Sequence, residues 1–195
     1  MDHDLLKANF SRYTDLSPFE LTAVCAFYKL KQIAKGEYLL RKGEICRFEG
    51  FVLKGCFRVF TIDEEGNERI LYFAAEDWWI MEIDSFLNQT GSELNVQAIE
   101  DSSILYISWA DKERLYREVP KMERLFRIMS QTAIVAWQRR LIRNHTMSAE
   151  QRYYQFLTAY PEVAVRLTNK QIASYLGITP EFVSKIRKKR LTHKK

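Results

Sequence analysis

The stretch TPEFVSKIRKK near the C-terminus carries polar and charged residues at helical spacing. At about 3.6 residues per turn, Glu181, Ser184, Lys185 and Lys188 share one face of a helix. Such a face at a helix N-terminus suits the major groove of DNA, because its first turn reaches base edges and flanking cations bind phosphates. A two-helix corner with a solvated face is the alternative. The predicted DNA-binding residues are Thr179, Glu181, Ser184, Lys185, Arg187, Lys188 and Lys189.

The preceding residues predict a partner helix that would hold this face in place. It would span residues 169–176, and the small Ala173 would let a second helix pack closely across it. Gly177 suits the left-handed conformation that ends a helix. Thr179 and Pro180 suit the cap and the first position of the next helix. The pattern therefore predicts two helices joined by a tight turn.

The first half of the chain has a different period. From about residue 30 to residue 108, short runs of β-branched and aromatic residues alternate with glycine-containing turns. Gly66 and Asn67 lie in a predicted hairpin turn. Strands at this spacing predict an all-β sandwich or barrel rather than a parallel α/β sheet. The helical pattern resumes after Trp109, so the predicted fold class is α+β.

A long helix, predicted from about Pro120 to Arg143, would join the two regions. Two adjacent apolar stripes follow it, which indicates burial on two sides. One side could cover the β domain and the other a symmetric copy of the chain; burial within one chain is the alternative. The first stripe, interpreted as the dimer interface, is Met122, Phe126, Met129, Ala133 and Ala136, and the second is Ser130, Ile134, Trp137 and Leu141.

The formal net charge of +5 hides an asymmetry. Residues 1–110 hold 11 Lys/Arg and 18 Asp/Glu, a net of −7, whereas residues 111–195 hold 19 and 7, a net of +12. A basic half commonly meets a polyanion such as nucleic acid. No apolar run reaches the length of a membrane span and the N-terminus lacks a signal pattern, which predicts a cytoplasmic protein without a membrane partner. The three scattered cysteines predict buried thiols rather than a disulfide framework.

The segments RYYQFLTAYP and IASYLGITPEFVSKIRKK resemble the helix-turn-helix region of CRP/FNR-family bacterial transcription regulators, in the form found in Bacteroidetes-type bacteria. The resemblance covers nearly the whole chain. The strands resemble that family's cyclic-nucleotide-binding jelly roll, a double-stranded β-helix, and the two-stripe helix resembles its dimerisation helix. The resemblance implies a homodimer on a palindromic site in double-stranded DNA, with RNA polymerase as a candidate partner. It implies a sensor domain at 1–118, a dimerisation helix at 119–145 and a helix-turn-helix domain at 146–195.

Two features depart from the family pattern. The family's recognition helix often carries E-x-x-S-R; Glu181 and Ser184 match, while Lys185 stands where Arg is usual. Lysine can donate to guanine but lacks the fixed fork of arginine, so weaker discrimination at that base is expected. The matching Glu and Ser imply a TTGA-like half-site. A full β-hairpin wing is not expected after the helix, and the basic tail RLTHKK is expected to replace its phosphate contacts.

The resemblance also implies a phosphate-binding cassette before the last strands. Anchored on VQAIEDSS, Glu82 falls at the ribose-binding Glu, Ser92 replaces the phosphate-binding Arg, and Glu93 follows it. The lost cation and the added carboxylate disfavour a cyclic phosphate by about 2–3 kcal/mol or more. We therefore expect a degenerate effector pocket and no response to cyclic AMP or cyclic GMP. The pattern names no effector, and the scattered Cys and His residues predict no cofactor and no metal.

Two other classes of function compete with a DNA-binding regulator. The alternative reading is a small-molecule-binding β-barrel module whose helical tail contacts proteins only. A jelly-roll enzyme would need clustered metal ligands in its strands, and no His lies between residues 4 and 144. The sequence therefore predicts that the chain is not an enzyme.

Overall fold

The structure is a computed structural model that describes residues 3–192. Residues 1–2 and 193–195 lie outside the described residues, and so does the part of the predicted phosphate-binding tail that falls on residues 193–195. The strands are β1 (Lys29–Ile33), β2 (Tyr38–Leu40), β3 (Phe48–Lys54), β4 (Phe57–Ile62), β5 (Glu68–Ala74), β6 (Trp79–Ile80), β7 (Asn95–Ala98) and β8 (Ser102–Ser108). The helices are α1 (Asp4–Ser11), α2 (Pro18–Ala26), α3 (Ile83–Asn88), α4 (Trp109–Glu118), α5 (Lys121–Thr146), α6 (Ala149–Ala159), α7 (Pro161–Ala164), α8 (Asn169–Leu176) and α9 (Pro180–Thr192). None of these described helices is both long enough and apolar enough to cross a bilayer.

The strands form two four-stranded sheets, in the orders β1-β8-β3-β6 and β2-β7-β4-β5. In the first sheet the inner strand β8 runs antiparallel to both neighbours, so that Leu105 lies opposite Leu30 on one side and Phe51 on the other. Together with the helices, these sheets confirm the predicted α+β class with an N-terminal β-sandwich. The predicted hairpin is also present: Gly66, with φ of 83°, lies in the turn between β4 and β5.

Local side-chain caps begin several helices. Ser17 and Glu20 form a reciprocal capping box at α2, and Ser148 and Gln151 form another at α6. These bonds satisfy amide groups that a helix N-terminus otherwise leaves without partners. The backbone amide of Ser17 is the main reason that the pKa of the Glu20 carboxyl falls to about 2.

An aromatic cluster fills the core of a first compact unit, which comprises Met1–Val59 and Phe73–Ile134. The ring of Trp79 lies 5.1 Å from that of Phe51 and 5.4 Å from that of Phe126, measured between centroids. Edge-to-face and tilted pairs at these distances add to the hydrophobic stabilisation of a core. All three cysteines are buried thiols without disulfides, as predicted: Cys25, Cys46 and Cys56.

The start of α5 belongs to this core, which corrects part of the predicted dimer interface. Met122 and Phe126 are 0% and 5% exposed and pack within the cluster. Their own chain covers them, so the prediction that they contact a second copy is wrong. Helical periodicity reveals an apolar face but does not reveal what covers it. Met129 packs against the same core, whereas Ala133 and Ala136 are exposed.

A second compact unit comprises Phe60–Tyr72 and Val135–Lys195. The β4–β5 hairpin therefore groups with the C-terminal helices, and the division falls inside α5. Within this unit, the ring of Tyr72 lies 5.8 Å from that of Trp137 in a T-shaped contact. The predicted domain boundaries at residues 118 and 145 describe roles along the chain and stay a prediction.

Candidate nucleic-acid interface

Helices α8 and α9 meet at a tight turn. Gly177 ends α8 with φ of 66°, in the left-handed region that glycine adopts without steric cost. The amide of Ile178 then donates to the carbonyl of Ala173 at 3.0 Å. Thr179 Oγ1 accepts from the amide of Phe182 at 3.2 Å and so caps α9. The predicted bounds of the first helix, its glycine C-cap and the threonine cap of the second are confirmed.

Apolar residues on the inner faces hold the two helices together. Val183 and Ile186 of α9 are 0% and 3% exposed, and Ile172 and Ala173 of α8 are equally buried. Burying an aliphatic side chain of this size contributes about 1.5–3 kcal/mol. Because Val183 and Ile186 anchor one side of α9, its other side faces solvent.

The solvent side of α9 carries the residues that the sequence predicts to contact DNA. These side chains line one shallow cleft with the first residue of the helix: Pro180, Glu181, Ser184, Lys185 and Lys188. Glu181, Lys185 and Lys188 are exposed, whereas Ser184 is half-buried. The structure therefore brings the predicted face together, and two of its four side chains are lysines.

Asn169 positions Ser184, although the sequence pattern does not single it out. Asn169 Nδ2 donates to Ser184 Oγ at 3.1 Å, and that hydroxyl donates to the carbonyl of Pro180 at 3.0 Å. Asn169 Oδ1 is buried and accepts no hydrogen bond from the part of the chain that the structure describes. No local signal links residues 169 and 184, because their contact depends on the angle at which α8 crosses α9.

Two of the predicted phosphate-binding cations also tie α9 to α6. Arg187 Nε donates to the hydroxyl of Tyr153 at 3.0 Å. Lys189 Nζ pairs with the carboxylate of Glu150 at 3.2 Å. Surface ion pairs of this kind contribute only about 0–1 kcal/mol, so a DNA phosphate can compete with Glu150 for the lysine.

The side chain of Ser174 bonds α8 to the β4–β5 hairpin. Ser174 Oγ donates to the carbonyl of Glu68 at 2.6 Å and accepts from the amide of Ile70 at 3.0 Å. Because β5 lies at the edge of its sheet, its outer backbone groups have no neighbouring strand to pair with. Ser174 satisfies two of them and fixes α8 against the hairpin.

Glu82, the predicted ribose-binding residue, is used as a helix cap. Its carboxylate accepts from the amides of Asp84 and Ser85 at 3.0 and 2.9 Å, at the start of α3. The side chain is 7% exposed. A sugar hydroxyl would have to displace or share these two bonds.

The other two predicted effector residues also have partners within the fold. Ser92 is 1% exposed, and its hydroxyl bonds to both the carbonyl and the amide of Leu94. Glu93 points outward and pairs with Lys42 at 2.9 Å. Arg69, a conceivable substitute cation for a phosphate, pairs with Asp63 at 2.7 Å beside the hairpin turn.

Comparison with known proteins assigns the β-sandwich region. Residues 30–119 match the family model described as "Cyclic nucleotide-binding domain". The chain is 26% identical over 169 residues to Electron transport regulator A of Shewanella oneidensis, an alignment that covers 80% of this chain and 66% of the relative. It is 27% identical over 169 residues to the Fumarate and nitrate reduction regulatory protein of Vibrio cholerae, again covering 80% and 66%. The chain thus spans about two thirds of the length of these relatives, which are regulators and not enzymes.

A solved structure shares the fold over most of both chains. The c-di-GMP responsive global regulator CLP of Xanthomonas campestris superposes with a TM-score of 0.73 at 12% identity, covering 91% of this chain and 93% of CLP. The Bacteroidetes-type form stays a prediction. The matched domain, the regulatory relatives and the shared fold agree with the predicted resemblance to CRP/FNR-family transcriptional regulators.

Proposed function

We propose that the chain is a sequence-specific DNA-binding transcription regulator that binds a palindromic site as a homodimer. The observation that carries the proposal is the face of α9. Glu181, Ser184, Lys185 and Lys188 line one open cleft on the first turns of a capped helix, and the opposite face is buried. In this arrangement α9 can enter a major groove while its lysines approach base edges and phosphates.

The homodimer is supported by the exposed part of α5. Beyond Met129 the helix leaves several large apolar side chains in solvent: Ile134, Val135, Trp137, Leu141 and Ile142. Leu141 and Ile142 are each 60% exposed and lie seven residues after Ile134 and Val135, the repeat of a helix that pairs with another helix. The centre of this face lies roughly 140° around the helix from Met122, which points into the core. We therefore move the proposed dimer interface to it from the predicted first stripe.

We further propose that neither cyclic AMP nor cyclic GMP is the effector. Glu82 already accepts two backbone hydrogen bonds, and Ser92 is a neutral, buried side chain where the family has a cation. A net hydrogen-bond gain of about 1 kcal/mol at the ribose does not offset an unneutralised phosphate. Calorimetry with either nucleotide should give no binding heat up to roughly millimolar, a free energy of about −4 kcal/mol. Micromolar binding would contradict this proposal and would require another cation to reach the phosphate.

Selection of bound sequences from random duplex DNA tests the proposed function directly. We expect an inverted repeat with a TTGA-like core in each half. The affinity for that site should fall steeply as salt rises, because phosphate contacts release counterions. Failure to enrich any sequence, with no salt-dependent shift of duplex DNA, would instead favour the small-molecule-binding module with a protein-interaction tail.

A further inference from the structure

A polar cavity of about 160 Å³ opens in the second compact unit, away from the cleft on α9. Arg140 and Arg143 of α5 and Arg152 of α6 line it, with the rings of Tyr160 and Tyr175. None of its lining residues in the described chain is acidic, and none belongs to α9. The volume is below the roughly 300 Å³ at which pockets for drug-sized ligands begin, so the cavity suits a small ligand.

No carboxylate among the described lining residues balances the arginine charges of this cavity. The carbonyl ends of two helices point toward Arg152: its guanidinium donates to Asn144 and Met147 at the end of α5 and to Leu176 at the end of α8, each at 3.2 Å. A helix C-terminus carries a partial charge of about −0.5, so two of them offset about one of the three arginine charges. A positive charge of about two remains around the cavity.

The arginine side chains that line the cavity are held in place, but some of their N–H groups have no hydrogen-bond acceptor. Arg152 Nε is buried and has no hydrogen-bond partner among the described residues. Arg140 donates to the carbonyl of Tyr175 at 3.1 Å, and its guanidinium stacks on that ring at 4.2 Å from the centroid. The guanidinium of Arg143 makes no hydrogen bond or ion pair within residues 3–192. Burial lowers the pKa of the Arg140 guanidinium, and the nearby Arg143 cation lowers it further, whereas Tyr175 and Tyr160 act in the opposite direction.

We propose that this cavity is a binding site for a small phosphate-bearing dianion, held by Arg140, Arg143 and Arg152. Arginine forks match phosphate oxygens in pairs, and a phosphate monoester carries a charge of about −1.5 to −2 at neutral pH, which matches the charge left around the cavity. A monocarboxylate would neutralise only half of it. The site stays accessible in the proposed homodimer, because Arg140 and Arg143 lie roughly opposite Leu141 and Ile142 around α5.

Binding of inorganic phosphate to the full chain tests this site. We expect saturable calorimetric binding at roughly millimolar phosphate or below, measured against sodium chloride of equal ionic strength, and a rise in melting temperature with phosphate. Arg143→Gln should raise the dissociation constant about tenfold or more without unfolding the chain, because this side chain makes no hydrogen bond or ion pair among the described residues. Arg139→Gln is the matched control: it removes the same charge from an exposed position on the same helix that does not line the cavity.

Three outcomes would overturn the proposal. The first is that the unmodified chain binds no phosphate at concentrations up to about 10 mM, well above the expected dissociation constant. The second is equal weakening by Arg143→Gln and Arg139→Gln, which would mean general charge attraction. The third is displacement of phosphate by non-specific duplex DNA in proportion to its backbone phosphates, which would assign the arginines to the DNA backbone rather than to a small anion.

Chemical-shift changes of the Arg152 Nε–H signal on phosphate addition give an independent readout that needs no variant.

Discussion

At the scale of single residues, we propose that Lys185 discriminates between bases. It is exposed in the cleft on α9, one position after a serine that Asn169 and the carbonyl of Pro180 hold in place. The Lys185→Ala variant should lose about 1–3 kcal/mol of preference at one base pair of each half-site, because a lysine donor to a guanine acceptor is removed. Competition binding on single-base variants of the selected site measures this preference.

Lys189→Ala is the control for that readout. Its ammonium pairs with Glu150 rather than pointing into the cleft, so its loss should weaken specific and random DNA alike and reduce the salt dependence. Lys185→Arg should sharpen the preference at the same base pair, because arginine adds a bidentate fork. Equal losses from Lys185→Ala and Lys189→Ala on specific and random DNA would mean that α9 does not read bases.

A buried ion pair gives a second residue-scale prediction, this time for stability. Lys112 Nζ donates to the Glu49 carboxylate, and the two residues are 8% and 2% exposed. The ammonium also lies 4.0 Å from the centroid of the Phe126 ring. Lys112→Met should lower the free energy of unfolding by about 3–5 kcal/mol, because it leaves the Glu49 charge buried without a partner. Urea unfolding measures the change.

The double variant Lys112→Met with Glu49→Leu separates charge from packing. Replacing both partners by apolar side chains is often neutral or stabilising, so most of the lost stability should return. A double variant as unstable as the single one would show that packing around Lys112, and not the unpaired carboxylate, sets the cost.

At the scale of elements, the hydroxyl of Ser174 joins the β4–β5 hairpin to α8 by two hydrogen bonds. Ser174→Ala removes the bond to the Glu68 carbonyl and leaves the buried amide of Ile70 without its acceptor. We expect the free energy of unfolding to fall by about 1–3 kcal/mol and hydrogen exchange at the Ile70 amide to become faster. Ser130→Ala, at an exposed position on α5, should leave that exchange rate unchanged. Equal exchange in both variants would mean that other contacts fix the hairpin.

How much of each element could be predicted depends on how far its determinants reach along the chain. The caps at Ser148 and Gly177 were predictable, because each depends on residues within about four positions. The role of Glu82 was not, because a carboxylate suits a ribose hydroxyl as well as the amides two and three residues later. What covers the side chain of Met122 could not be predicted either, since an apolar stripe on a helix does not show whether the same chain or a second copy packs against it.

The link between Asn169 and Ser184 marks the limit for the candidate site itself. The face of α9 followed from helical spacing alone, and the structure brings its residues into one cleft. The amide that orients Ser184 comes from a different helix, and its contact depends on a packing angle that local sequence does not encode. The same holds for Arg187, whose bond to Tyr153 joins residues 34 positions apart.

At the scale of the whole molecule, the oligomeric state follows from which face of α5 remains uncovered. Phe126 lies in the core of its own chain, so a charge at that position would unfold the first unit rather than separate two copies. Leu141 and Ile142 are each 60% exposed and lie roughly 100° and 160° around the helix from Met122. A Leu141→Glu variant should place an unpaired charge in the symmetric interface, which is costly, and should yield a monomer in light scattering.

The matched variant Ala136→Glu distinguishes the two faces of α5. Ala136 is also exposed, but it lies on the side that continues the stripe of Phe126, so the dimer should survive this change. Leu141→Glu should also weaken binding to the full palindrome by about 10²–10⁴-fold while leaving binding to an isolated half-site unchanged, because the second half-site then gains nothing from the first. Dissociation by Ala136→Glu and not by Leu141→Glu would move the interface back to the predicted stripe. A monomeric unmodified chain that still binds its palindrome tightly would contradict the homodimer on either face.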